Sequence, residues 1–290
     1  MKFKPAFIIF FAITLIVSCG VNRDIPENPY IDSTLSEAQQ KMLDSILGNA
    51  LDHEALYTIA GRIKPMSTVA SFRFPVANSD STKNTVAEVL DLSEKNVYLA
   101  EIAELQYLVN SLSYPDLKFI LTPFKSPSKG LRYFDLNVIR VSLLDSLLSA
   151  KASFFGQFGL VPGADPVMVI AAVENAGRYE RLRAYGYLFG YPDYAVDFFV
   201  QASVEQDKTK KLPERNFFQI PAYARQHGTF VYAYPKEHTP DQTDSTLYYR
   251  AKEVLDYYSD IRNQYLNPDS TLQAGKLLMD LHKPSKKQGR

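Results

Sequence analysis

The chain of 290 residues has one cysteine, Cys19, and no tryptophan. Because no thiol follows Cys19, the rest of the chain can form no disulfide, no zinc–thiolate site and no cysteine nucleophile. The lack of tryptophan weakens the case for a sugar-stacking platform, although 19 tyrosines and 18 phenylalanines are present. A tyrosine can be half buried with its hydroxyl in water, so we expect a core rimmed by tyrosines. The alternative is an aromatic-lined groove for a ligand.

The chain also lacks an excess of charge of either sign, since 32 lysines and arginines balance 32 aspartates and glutamates. A protein that binds nucleic acid needs a concentrated basic face to neutralise phosphates. We therefore predict no nucleic-acid partner.

None of the short motifs that most often identify an enzyme is present. There is no GxxxxGK[ST] phosphate loop, no GxGxxG after a strand, no HExxH and no GxSxG. The four histidines are not at helical metal-ligand spacing from one another; they are His53, His227, His238 and His282. We therefore predict no cofactor and no metal site.

The longest apolar run, residues 5–17, is short and follows Lys2 and Lys4. It has about the length of the hydrophobic region of a signal peptide, whereas crossing a bilayer takes about 20 apolar residues. An ordinary secretory signal ends in a small-x-small cleavage site, which residues 17–20 match less well. The run therefore indicates a signal peptide of another type.

Residues 16–19, Ile-Val-Ser-Cys, resemble the lipobox of bacterial envelope lipoproteins. The resemblance implies that residues 1–18 are a signal peptide and that Cys19 carries the lipid, palmitate included, at the start of the mature chain. Several acyl chains on one residue anchor a protein stably, whereas one chain does not. In such lipoproteins, Gly rather than Asp after the cysteine goes with outer-membrane sorting. Gly20 therefore favours the outer over the inner membrane, with the body periplasmic or surface-exposed.

The remainder of the chain, rich in Phe and Tyr and free of Trp, is similar to uncharacterised lipoproteins of Bacteroidota. The similarity lies in residues 55–67 and 187–199. It implies no particular activity.

Four segments follow from composition and pattern. Residues 1–18 are the signal peptide, residues 19–33 are the lipidated cysteine and a polar, proline-broken tether, and residues 283–290 are a disordered tail. Residues 34–282 contain no linker, which indicates a single domain. Strand pairs of hairpin type alternate there with runs of helix, so we predict an α+β fold with an antiparallel sheet packed against several helices.

Periodicity and capping residues place the elements. Thr34 and Glu37 form a capping box that predicts the start of the first helix. Period-two alternation of Thr68, Ala70, Phe72 and Phe74 predicts two strands within residues 57–74. A helical region is predicted over 83–112, with Ser93 as an internal cap. Three further helices are predicted to begin at Ser142, at Asp165–Pro166 and at Asp193. The last two predicted helices cover 247–261 and 272–281. The other predicted strands are 117–122, 131–141, 216–222 and 229–234.

The densest cluster of reactive side chains lies between a helix end and a predicted strand. His53 beside Glu54, with Lys64 on a nearby turn, is a combination suited to acid–base catalysis. The alternative is that His53 and Glu54 solvate the end of the helix and Lys64 faces water.

A second cluster lies on a predicted helix and contains Arg178, Arg181, Arg183 and Tyr185. Arg178, Arg181 and Tyr185 fall on one face of that helix. Arginine forks suit carboxylate or phosphate groups, so this face is a candidate site for an anionic ligand. The alternative is that the arginines pair with acidic side chains of the protein.

The leading hypothesis is an envelope lipoprotein that binds a small ligand or a partner protein and catalyses no reaction. The membrane is the expected partner of Cys19. One alternative is an envelope hydrolase or transferase that uses His53 and Glu54. Another is a structural subunit of an envelope complex.

Overall fold

The computed structural model describes residues 28–76, 79–80, 85–86, 95–125 and 131–282. The predicted signal peptide, Cys19 and the predicted tail lie outside these residues. The described part is an α+β fold with antiparallel strands, which confirms the predicted class. Among the described helices, none combines the length and the apolar character needed to cross a membrane.

The elements of the described chain have the following bounds. The helices are α1 (Glu37–Asp52), α2 (Leu56–Ile59), α3 (Lys95–Asn110), α4 (Val141–Ala150), α5 (Ala152–Phe155), α6 (Pro166–Asn175), α7 (Arg178–Leu188), α8 (Asp193–Thr209), α9 (Gln242–Arg262) and α10 (Ala274–His282). The strands are β1 (Met66–Phe74), β2 (Ser79–Asp80), β3 (Thr85–Val86), β4 (Leu117–Pro123), β5 (Arg132–Arg140), β6 (Arg215–Ala222) and β7 (Arg225–Pro235). Single 3₁₀ turns lie at Gly156–Phe158 and Asn263–Tyr265.

The main sheet has the strand order β1-β5-β4, with both pairings antiparallel. The β4–β5 hairpin matches the prediction to within one residue at each strand end. The second predicted hairpin is also confirmed, as β6 and β7, but it forms a sheet of its own. The predicted helix starts at Asp165–Pro166 and Asp193 are confirmed as the starts of α6 and α8.

Each face of the main sheet is covered by a different hydrophobic cluster. Because side chains alternate along a strand, Leu136 and Val138 of β5 pack into the cluster that contains α1. Ile139 points the other way and packs with Leu144 of α4 and Ile170 of α6. The sheet is therefore the middle layer of the fold.

The first helix begins later than predicted. Ser36, not Thr34, is its N-cap, and Ser36 and Gln39 form the capping box. Thr34 instead bonds to the Asp32 carboxylate. The helix continues to Asp52, and Leu43, Leu47 and Leu51 are buried along it.

Residues 28–33, assigned to the tether from sequence, lie against the folded body. The Asn28 side chain donates a 2.8 Å hydrogen bond to the Gly275 carbonyl of α10. Ile31 forms an isolated antiparallel bridge with Leu112. The packed part of the chain therefore begins before Thr34.

Two predictions for the region before β4 are wrong. Residues 57–74 contain one strand rather than two, because Tyr57 lies in the buried helix α2. Val86 lies in β3 rather than in a helix, and the helix predicted over 83–112 starts at Lys95 in the described chain. The predicted cap Ser93 lies outside the described residues.

Candidate functional site

A cavity of about 310 Å³ lies between the main sheet and helices α7 and α8. Its floor consists of polar side chains of the sheet, and its walls carry aromatic rings. The floor residues are Thr68, Asp135 and Asn137, and the wall aromatics are Phe124, Tyr185, Phe189, Tyr191 and Phe199. Arg181, Leu182, Gly186 and Val196 complete the lining.

A β-bulge in β1 brings the floor residues to one face. Thr68 pairs with Asn137 and Ser71 pairs with Asp135, with a register shift after Thr68. Thr68 and Ser71 are three residues apart, so regular alternation would place them on opposite faces. The extra residue of the bulge corrects this difference, and both hydroxyls meet side chains of β5. The period-two prediction is therefore wrong at Thr68, which faces away from Ala70 and Phe72.

The floor is polar, and one of its residues, Asn137, is buried. Asn137 is 3% exposed, and its Oδ1 accepts a 2.9 Å hydrogen bond from Thr68 Oγ1. Within the described ranges, the Asn137 amide nitrogen donates no hydrogen bond. Because an amide nitrogen carries two donor hydrogens, Asn137 offers a donor to the cavity.

The α7 wall is organised by a buried carboxylate, Glu174, at the end of α6. Glu174 is 2% exposed and accepts hydrogen bonds from the Lys125 backbone N–H at 2.7 Å, from Arg181 at 2.8 Å and from the Tyr185 hydroxyl at 2.8 Å. Burial and the bond to Glu174 raise the pKa of the Tyr185 phenol, so this hydroxyl remains a donor. The wall is therefore held in one conformation, and its single arginine charge is balanced.

The structure brings together only part of the second predicted cluster. Arg181 and Tyr185 share Glu174 and line the cavity. Arg178 pairs instead with Asp207 at 3.0 Å, and Arg183 pairs with Asp197 and contacts the Tyr187 hydroxyl. These two arginines make pairs within the protein.

The first predicted cluster is also divided. Lys64 Nζ lies 2.9 Å from Glu54 Oε2, and its side chain is fully buried. The nitrogen is 4.4 Å from the Phe230 ring centroid and 5.5 Å from that of Phe189. His53 bonds to the Asn49 carbonyl at 2.9 Å instead. None of His53, Glu54 and Lys64 is among the side chains that line the cavity.

The Glu54–Lys64 pair lies behind the cavity wall and supports it. The turn after α7 passes so close that a Cβ on Gly190 would lie 3.3 Å from the Lys64 Cα. Gly190 has a φ of 73°, which a residue with a Cβ adopts at a cost. Its two neighbours, Phe189 and Tyr191, are the aromatic wall residues of this turn. Burial lowers the pKa of the Lys64 ammonium, opposed by Glu54.

Sequence reasoning missed the floor of the cavity. Asp135 and Asn137 are two polar residues at i and i+2 of a predicted strand, a spacing that places them on one face. That spacing is a usable signal for a polar patch on a buried sheet. In the described part of the chain, no group of three His, Cys, Asp or Glu side chains is arranged to hold a metal ion.

Comparison with known proteins gives no match. No protein-family model, no curated protein and no solved structure is significantly similar to this chain. Because a fold alone does not imply a function, the chemistry of the cavity and the N-terminal motif carry the functional argument.

Proposed function

We propose that this chain is a lipoprotein of the bacterial cell envelope whose folded body binds a small, largely apolar molecule and catalyses no reaction. The observation that carries the proposal is the cavity above the main sheet, with aromatic walls over a polar floor. Its volume of about 310 Å³ is at the small end of the range for ligand sites, which combine apolar walls with a few placed polar groups.

The groups around the cavity favour binding over catalysis. Thr68 is the aliphatic hydroxyl of the lining, and it donates to the amide oxygen of Asn137. An amide oxygen is not a general base, so this pair does not activate a nucleophile. Glu174 and Tyr185 are bonded to each other. These side chains position and orient a ligand.

The proposed envelope location is supported by the resemblance of residues 16–19 to a lipobox. The proposed partner is a membrane, reached through lipid on Cys19, and Gly20 favours the outer membrane. Mass spectrometry of the protein from its native membrane fraction is expected to find an N-terminal peptide that starts at acylated Cys19. An unmodified thiol, or a different mature N-terminus, would contradict the anchor and leave the cavity argument intact.

Ligand binding can be tested with 2-(1-naphthyl)ethanol, a neutral bicyclic probe. We expect a Kd on the order of 1 mM or tighter, from the usual contribution per ligand atom, measured by protein-detected NMR titration. Leu182 lines the cavity, so L182W fills part of it and is expected to weaken binding at least about tenfold, the equivalent of losing one or two buried methylenes.

The matched control is L212W, the same change at an exposed leucine outside the cavity lining. L212W is expected to bind the probe like the original chain. Equal binding by both variants, or shifts that map away from β5 and α7, would reject the cavity as the site.

A further inference from the structure

The charges around the cavity do not cancel. Arg181 is paired with Glu174 at 2.8 Å, so these two residues together add no net charge. Asp135 of the floor has no lysine or arginine partner among the described residues, within the 4.0 Å that defines an ion pair. Among the described residues, the lining therefore presents one carboxylate without an ion-pair partner.

The carboxylate of Asp135 also has unused acceptor capacity. Its Oδ1 accepts a 2.6 Å hydrogen bond from Ser71 Oγ, and no other hydrogen bond to this carboxylate comes from the described side chains. Thr122 is its cross-strand neighbour on β4 and so lies on the same face of the sheet. The Thr122 hydroxyl is buried and has no hydrogen-bond partner in the described structure. Asp135 therefore keeps acceptor capacity on the floor of the cavity, and the Thr122 hydroxyl is a second unpartnered oxygen on the same face of the sheet.

The walls complement a cation as well. Tyr185 and Phe189 stack with ring centroids 5.7 Å apart, and Phe189 and Tyr191 follow at 5.9 Å. Aromatic faces attract cations through the ring quadrupole, most strongly where water is excluded. An anion would instead meet the charge of Asp135.

We propose that the ligand of this cavity is an organic cation, an amine with a ring-containing apolar body whose ammonium group binds Asp135. The inference rests on the proposed function, because it names the ligand class of the same cavity. The ammonium donates to the Asp135 carboxylate, and the ring system packs between α7 and α8.

The test compares three probes of one size, each titrated against the full chain. They are 2-(1-naphthyl)ethylamine, 2-(1-naphthyl)ethanol and 1-naphthylacetate, which carry charges of about +1, 0 and −1 at pH 7. We expect the amine to bind about tenfold tighter than the alcohol, as for a charge-assisted hydrogen bond, and the acid to bind weakest. D135N is expected to remove the preference for the amine over the alcohol, because the amide that replaces the carboxylate can still accept the bond from Ser71 but has no charge to pair with the ammonium group.

D256N is the matched control, since Asp256 is an exposed carboxylate paired with Lys252 on α9, and it should keep the amine preference. Binding of alcohol and amine with equal affinity, or tightest binding of the acid, would overturn the organic-cation inference while the ligand-binding function stands. A preference that survives in D135N would also overturn it, because Asp135 would not be its source. Failure of all three probes to bind would instead reject the ligand-binding function.

Discussion

Replacing Glu54 with alanine is expected to lower the free energy of unfolding by about 3 kcal/mol, because the variant leaves the Lys64 ammonium buried without a counter-charge. The Lys64 side chain is fully buried, and the Glu54 side chain is 21% exposed. Urea unfolding at pH 7 measures the effect. The figure is near the lower end for a broken buried ion pair, since water reaches the Glu54 side of the pair.

The stability of E54A is also expected to depend on pH. Burial already lowers the pKa of Lys64 in the native protein, and loss of Glu54 lowers it further. The unfolded chain then binds more protons than the native one as pH rises from 7 towards 10, so stability increases with pH over that range. The destabilisation of E54A should therefore shrink at pH 10.

Two further variants make the test specific. E54Q/K64M removes both charges and should recover most of the lost stability, because a buried ion pair can be replaced by groups of similar volume. E37A removes the glutamate of an exposed pair with Lys41 and should change stability little. A small effect of E54A at pH 7, equal to that of E37A, would show that Lys64 is not held by Glu54.

Replacing Arg140 with methionine is expected to destabilise the fold by about 3–4 kcal/mol, since two buried carbonyls lose their donor. The Arg140 guanidinium, 2% exposed, donates to the carbonyls of Thr58 and Ile59 in α2 and to the Asp116 carboxylate. Carbonyls at a helix end have no partner within the helix. R140M leaves both of them buried and unpaired.

R140K separates charge from geometry. A lysine keeps the positive charge but cannot reach three acceptors in a planar fork, so R140K should be intermediate between the original chain and R140M in urea unfolding. R73M, at an exposed arginine on β1, is the control and should change little. An R140K variant as stable as the original chain would show that charge alone matters here.

The β4–β5 hairpin was predictable because its signals are local. Both strands are short apolar runs, and the loop between them contains Pro127 and Gly130, which favour a turn. The spacing of Arg181 and Tyr185 likewise predicted that they share a face of α7. In the structure both side chains bind Glu174, which belongs to the preceding helix. The sequence pattern did not indicate that Glu174 is buried.

The features that could not be predicted from the sequence depend on long-range contacts. The bulge after Thr68 changes which side chains face the cavity, and period-two reasoning assumes that no such residue is inserted. The sequence predicts acid–base chemistry for His53 beside Glu54, with Lys64 on a nearby turn, but the burial of Lys64 depends on contacts with Gly190 and Phe230, far along the chain. The local sequence therefore predicts which residues are reactive, but it does not predict which of them are buried or which face the cavity.

If Cys19 carries the proposed lipid, the attachment of Asn28 to α10 limits the distance between the folded body and the bilayer. Nine residue steps separate Cys19 from Asn28, and a fully extended chain spans at most about 3.5 Å per residue. The segment from Cys19 to Asn28 is therefore at most roughly 30 Å long, which is close to the thickness of the hydrocarbon layer of a bilayer. The proposed anchor would therefore keep the folded body near molecules at the membrane surface, and it would not let the body cross a wide aqueous compartment.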